Sequence, residues 1–173
     1  MARTWLSITV ELVSGRGERY WPRPGRVFVA SRSHTFAALA AAINDGFARW
    51  DHAHLSRFAL ADGTAIADVD PFFDLSDDSI DIRTAKLSRL RPSEQFAYTF
   101  DLGDGWQHLC TVDAKRIDPE EVYGLEPRMP APCFGWGWLP DQYGRLWAAD
   151  DGGSPPPADT GDRDLPPLLY EWQ

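Results

Sequence analysis

The sequence predicts an α+β domain: a curved, mostly antiparallel sheet in the order β-β-α-β-β-β-β, packed on one main helix, with an aromatic-rich C-terminal loop region. Three observations carry this. Six segments read as strands, and the best of them alternate apolar and polar residues with a period of two. Only one segment, beginning near residue 36, repeats its apolar residues every three or four positions. One helix cannot cover both faces of a large parallel sheet, so antiparallel pairing is favoured.

The first strand is WLSITVELV, with Leu6, Ile8, Val10 and Leu12 on one face and Trp5, Ser7, Thr9, Glu11 and Val13 on the other. SGRGERYWPRPGR follows as a loop or distorted edge, broken by glycine and proline. RVFVAS is the second strand. Thr35 then offers a hydroxyl to an orphan N–H at a helix start. Phe36, Leu39, Ala40, Ile43, Phe47 and Trp50 continue as one apolar stripe, with Gly46 loosening its end. HLSRFALADG is a third strand closing in a turn. ADVDPFFDLSDDS is acidic and turn-rich but lacks the glycine and glutamate of a calcium loop. SIDIRTAKLSRL holds a short strand, and FAYTFDL and WQHLCTVDAKRI complete the sheet. Residues 1–150 form the expected domain, and 151–173 an acidic, proline-rich tail.

A chain of 173 residues can bury roughly 70% of its unfolded surface, so a real core is expected. The net charge of −9 repels nucleic acid and anionic membrane. The first fifty residues run the other way, with seven arginines against three acids. That leaves a single-stranded nucleic-acid site at Arg19, Arg23 and Arg26 as an alternative, with nucleic acid disfavoured overall. Cys110 and Cys133 make no zinc-type pair. No apolar stretch is long enough to span a membrane or to serve as a secretion signal. A cytoplasmic protein with free thiols is expected.

FDLGDGWQHLC, residues 100–110, concentrates the chemistry. Asp-Gly between two alternating runs signals a hairpin. A two-residue loop would set Asp101 opposite His108. A three-residue loop, Gly103-Asp104-Gly105, pairs Phe100 with His108 and puts Phe96, Tyr98, Phe100 and Leu102 on one face with Trp106, His108, Cys110 and Val112. The apolar pattern selects the longer loop, because a slip by one residue flips every side chain. His108 is then expected among rings, and Asp101 to point away or back into the loop.

Two further groupings could act. His54, beside His52, could join His108 and Asp101 or Asp104 in a two-histidine, one-carboxylate metal site for hydrolysis. No other cofactor is implied: phosphate-cradling loop, nucleophile elbow and dinucleotide fingerprint are all missing. CFGWGWLPDQYGRLW, residues 133–147, crowds Phe134, Trp136, Trp138, Tyr143 and Trp147 into one flexible loop. With Trp106, the residues Trp136, Trp138 and Tyr143 could line an aromatic cleft, anchored by Arg145 and Asp141, for a protein partner or small ligand.

WDHAHLSRF after a helix, then FAYTFDLGDGWQH, resembles the plasmid pRiA4b ORF-3-like family over roughly residues 5–150. The matching positions are Trp50, His54, Leu55 and Phe58, then Tyr98, Phe100, Asp101, Gly103, Asp104, Trp106 and His108. The family often has phenylalanine where Leu102 stands. The resemblance implies an α+β domain with a curved antiparallel sheet, and an insertion-element passenger encoded with mobile DNA. It implies no mechanism. The expectation is a non-catalytic accessory binding module. A metal-dependent hydrolase and a single-stranded nucleic-acid binder are the alternatives.

Overall fold

The computed structural model describes residues 4–69, 78–124, 126–146 and 149–155. β1 (Trp5–Gly15), β2 (Glu18–Arg19) and β3 (Gly25–Ser31) precede α1 (Phe36–Gly46). β4 (Ser56–Ala59), β5 (Ala65–Ala67) and β6 (Ile80–Asp81) follow, then a single 3₁₀ turn at Leu87–Arg89. β7 (Gln95–Phe100), β8 (Trp106–Val112), α2 (Pro119–Tyr123) and β9 (Ala131–Trp136) are the remaining elements among the described residues. Among the described residues these strands form one open sheet in the order β6-β5-β4-β7-β8-β1-β3-β9, with β2 paired to β1. Every pairing is antiparallel except β5 with β6. The α+β expectation holds.

β1 lies between β3 and β8 and buries Leu6, Ile8, Val10 and Leu12, the face its alternation marked. Burying each such side chain stabilises by about 1.5–3 kcal/mol before chain entropy is counted. α1 lays Phe36, Leu39, Ala40 and Ile43 into the same core. Thr35 caps it as expected, its Oγ1 accepting from Ala38 N at 3.1 Å. Gly46 ends the helix where a Cβ would sit 2.8 Å from Phe28 Cζ, so the missing side chain lets α1 close onto β3. The expected stripe does not reach Trp50. Ala48 turns left-handed (φ 57°), the chain leaves the helical path, and Trp50 stands 46% exposed.

Two other expectations are corrected. HLSRFALADG does form a strand closing in a turn, β4 and then Gly63 (φ 87°), but the turn leads into a further short strand, β5, that the six expected strands do not include. The stretch after Gly124 is not all loop, because β9 extends the sheet beside β3, with a bulge opposite Val27 and Phe28. Residues 70–77 of the acidic stretch, Trp147, and the tail beyond residue 155 lie outside the described residues. No helix among the described residues is long and apolar enough to cross a membrane.

The hairpin keeps the expected face but not the expected register. Phe100 pairs with Trp106, Tyr98 with His108 and Phe96 with Cys110, two residues away from the three-residue-loop pairing. The loop therefore spans Asp101 to Gly105. Asp101 takes a left-handed φ of 56°, which ends β7 early and turns Leu102 out to 55% exposure.

Candidate functional site

His108 is buried among rings: Phe47 meets it edge-on at 5.1 Å and Tyr98 at a tilt at 5.1 Å. Its Nδ1 lies 3.0 Å from the Tyr98 carbonyl, so Nδ1 carries the proton and donates it there. Its Nε2 lies 2.9 Å from Arg49 Nη2 and accepts from that guanidinium. Burial, and then the neighbouring Arg49 charge, hold its pKa well below the ordinary histidine value. The imidazole is neutral and both nitrogens are occupied.

Asp101 points back into its own loop. Its Oδ1 accepts from the amides of Gly103 (3.1 Å) and Asp104 (3.2 Å), an aspartate turn that steadies the left-handed backbone. Its Oδ2 lies 3.4 Å from His54 Nδ1. His54 Nε2 in turn stands 2.8 Å from the Tyr143 hydroxyl and 3.4 Å from Asp51 Oδ2. Tyr143 donates its hydroxyl proton to Asp51 Oδ2 at 2.6 Å. That hydrogen bond holds the Asp51 carboxyl below the usual range. Burial, and then Asp51, push the Tyr143 phenol up to about 12.

Beside this chain of groups, Arg145 grips Asp141 Oδ1 through Nε (2.9 Å) and Nη2 (2.7 Å) and lies over the Trp50 ring at 4.2 Å. Burial raises the Asp141 carboxyl, but the Arg145 hydrogen bonds outweigh it and hold the group low. Gln142 is buried between the two segments. Its Oε1 accepts from the amides of Trp50 (3.0 Å) and Asp51 (2.9 Å), and its Nε2 donates to the Asp51 carbonyl (2.8 Å). The loop after β9 is thereby pinned to the segment after α1.

His54 also lines a cleft of about 490 Å³ between α1 and β4, which it shares with Asn44, Ser56, Asp68 and Phe100. Tyr98 backs it from the core, donating to Asn44 Oδ1 at 3.0 Å while its oxygen stands 3.0 Å from Ser56 Oγ. A smaller cleft of about 250 Å³ adjoins Trp50, Tyr143 and Arg145.

The structure separates the residues expected to form one aromatic cleft. Trp106 is 1% exposed, packed over Gly15 and stacked with Tyr20 at 6.4 Å, so its ring lines no open cleft. Trp136 lies across Gly25, its Nε1 donating to the Arg23 carbonyl at 3.0 Å, and Phe134 stands 6.0 Å from it. Trp138 is 89% exposed beyond Gly137, where an added Cβ would stand 2.8 Å from the Pro24 Cα. Tyr143 and Arg145 belong instead to the corner with His54 and Trp50.

The metal set considered as an alternative does not assemble among the described residues. His108 spends its nitrogens on Arg49 and Tyr98, and Asp104 faces Arg16 at 3.8 Å. Among the described residues no three histidine, cysteine or acidic side chains are grouped to hold a metal ion. The basic patch also loses a member: Arg26 is 2% exposed, its Nη1 donating to the Gly25 (2.7 Å) and Trp136 (2.8 Å) carbonyls. Sequence reasoning missed Arg49, Asp51 and Gln142. Asp51 was the findable one, since it sits inside WDHAHLSRF with the two histidines.

The family model for plasmid pRiA4b ORF-3-like proteins matches residues 9–132. No curated protein matches the chain significantly. Among solved structures, MM3350 from Methanosarcina mazei Go1, a protein of unknown function, is 19% identical. The match covers 77% of this chain and 67% of that one with a TM-score of 0.52, a likeness of fold.

Proposed function

The chain belongs to the plasmid pRiA4b ORF-3-like family, and from that premise we propose that it is a non-catalytic binding module whose free sheet edge, β9, takes up an extended segment of a partner protein. One observation carries the reading: four large aromatics stand in the open on β9 and on the segments that follow it and lead into β3 beside it. Trp21 is 85% exposed, Phe134 50%, Trp136 37% and Trp138 89%. Large apolar side chains left exposed together mark contact sites. β9 ends the sheet among the described residues, so its outer backbone groups can template an added strand. Arg23 lies over Trp21 at 5.7 Å and Arg19 is exposed on β2, which favours a segment carrying acidic side chains. The family's reference to a plasmid reading frame supports an accessory role with mobile DNA, and the two free cysteines fit a reducing cytoplasm.

The test is a displayed peptide library selected on the full chain, counter-selected on a Trp136→Ala/Trp138→Ala variant. Enriched acidic-aromatic peptides should perturb amide resonances of residues 131–138. No enrichment over the variant, or perturbation confined elsewhere, would overturn the reading.

A second reading, a small polar ligand, is favoured by the cleft beside His54 alone. Fragment binding abolished by His54→Ala and untouched by Trp138→Ala would support it. Fragments indifferent to His54 would remove it.

A further inference from the structure

We propose that the core holds a small monovalent anion, a halide or a carboxylate, between the Arg49 guanidinium and the Trp106 indole N–H. Arg49 is 5% exposed, and its polar side-chain partner is the neutral His108. A buried cation ordinarily sits beside a carboxylate, because desolvation without a counter-charge is unfavourable. Here the neighbours are rings instead: Arg49 Cζ lies 5.0 Å from the centre of Trp106 and 5.4 Å from that of Phe47. Arg49 Nη1 is buried with no hydrogen-bond partner, and so is Trp106 Nε1. Two orphaned donors on adjacent side chains, one of them charged, point to a shared acceptor.

The chemistry narrows that acceptor. One positive charge and two donors suit a single negative charge. A phosphate dianion presents more oxygens than these two groups can satisfy. A water molecule would accept from both donors, yet would need acceptors for its own hydrogens and would leave the charge uncompensated. Tyr20, stacked on Trp106 at 6.4 Å, is only partly buried.

The test uses the full chain labelled with ¹⁵N. The Trp106 indole resonance is identified by its loss in Trp106→Phe, then followed in sodium chloride, in sodium acetate, and in sodium sulfate at matched ionic strength. A saturable shift in chloride establishes a free halide site. Saturation in acetate alone establishes a carboxylate site. Arg49→Lys, which keeps the charge but loses donors, should weaken either by about tenfold, the worth of one charged hydrogen bond. Should that variant fail to fold, crystals grown in bromide serve, with an anomalous peak expected within hydrogen-bond distance of Nη1. Equal, non-saturating shifts in all three salts, or a bromide map with no such peak, would overturn the proposal.

Discussion

Arg49 Nη2 donates to His108 Nε2 across 2.9 Å, joining the segment after α1 to the centre of the sheet through an imidazole that must stay neutral to accept it. Protonating His108 would set two cations face to face in a buried site.

Stability should therefore fall as acid is added. The folded-state pKa of His108 is depressed, while the unfolded chain titrates near the ordinary value of about 6.5. Below that pH the unfolded chain binds a proton that the folded one refuses. The stabilisation is complete above about pH 6.5 and is lost progressively below it, by up to about 1.4 kcal/mol per pH unit. His34, also lowered by burial, adds to the same slope. His108→Gln can keep both hydrogen bonds without titrating. Urea unfolding between pH 4.5 and 6.5 should show a shallower slope in that variant, and an unchanged slope would refute the assignment.

Two glycines make a paired test of packing. An ideal Cβ on Gly15 would stand 2.1 Å from Trp106 Cε3, and one on Gly25 would stand 2.1 Å from Trp136 Cζ2. Trp106 is enclosed, whereas Trp136 is 37% exposed and can swing outward. Gly25→Ala should cost about 1–3 kcal/mol and Gly15→Ala distinctly more, since overpacking hurts most where nothing can yield. Only Gly25→Ala should also red-shift the tryptophan emission of the native state. Equal losses of stability would mean the two rings are equally confined.

The contrast between those rings shows what could be read from residues alone. α1 and its Thr35 cap were legible because both are local patterns. The shared face of β7 and β8 was legible because alternation fixes parity. Register was not, since pairings that differ by two residues bury the same face, and the choice rested on a left-handed turn at Asp101. Crowded tryptophans suggested one cleft, yet Trp106 is inside and Trp138 outside, and the glycine that receives Trp106, Gly15 on β1, lies far from it in the chain. The burial of Arg49 had no local signal, because it depends on the chain turning at Ala48. Of the candidate site, the closeness of His54 to Asp101 was in view, but Asp51 and Gln142 were not.

Asp101→Ala should destabilise the hairpin by about 1–2 kcal/mol, because alanine is strained at φ 56° and offers no acceptor to Gly103 and Asp104. Asp101→Asn keeps an acceptor and tolerates that backbone, so its loss should be a few tenths of that. Thermal unfolding measures both. Similar losses in the two variants would show that the carboxylate charge, through His54, matters more than the turn.

Tyr143 should titrate higher with Asp51 ionised beside it than without that charge, although burial raises it in both cases. Asp51→Asn removes the charge that adds to burial in holding the phenol at about 12. The Tyr143 carbon resonance at Cζ should then titrate at a lower pH than in the parent protein. An unmoved titration would mean that burial alone sets it and that the 2.6 Å hydrogen bond is not kept in solution.

The two cysteines should differ in reactivity. Alkylation requires a thiolate that is both formed and reachable. Cys110 is fully enclosed, and burial drives its pKa upward. Cys133 is half-buried on β9, and burial raises it too, although the Tyr123 hydroxyl 3.4 Å away partly offsets this. Iodoacetamide at pH 8 should therefore modify Cys133 slowly. Cys110 should react only when the sheet opens, so its rate should rise with urea in step with unfolding while the Cys133 rate changes earlier. If β9 is the docking edge, a bound peptide should protect Cys133 and leave Cys110 unaffected. Protection of neither thiol by a peptide that binds would place the contact away from β9.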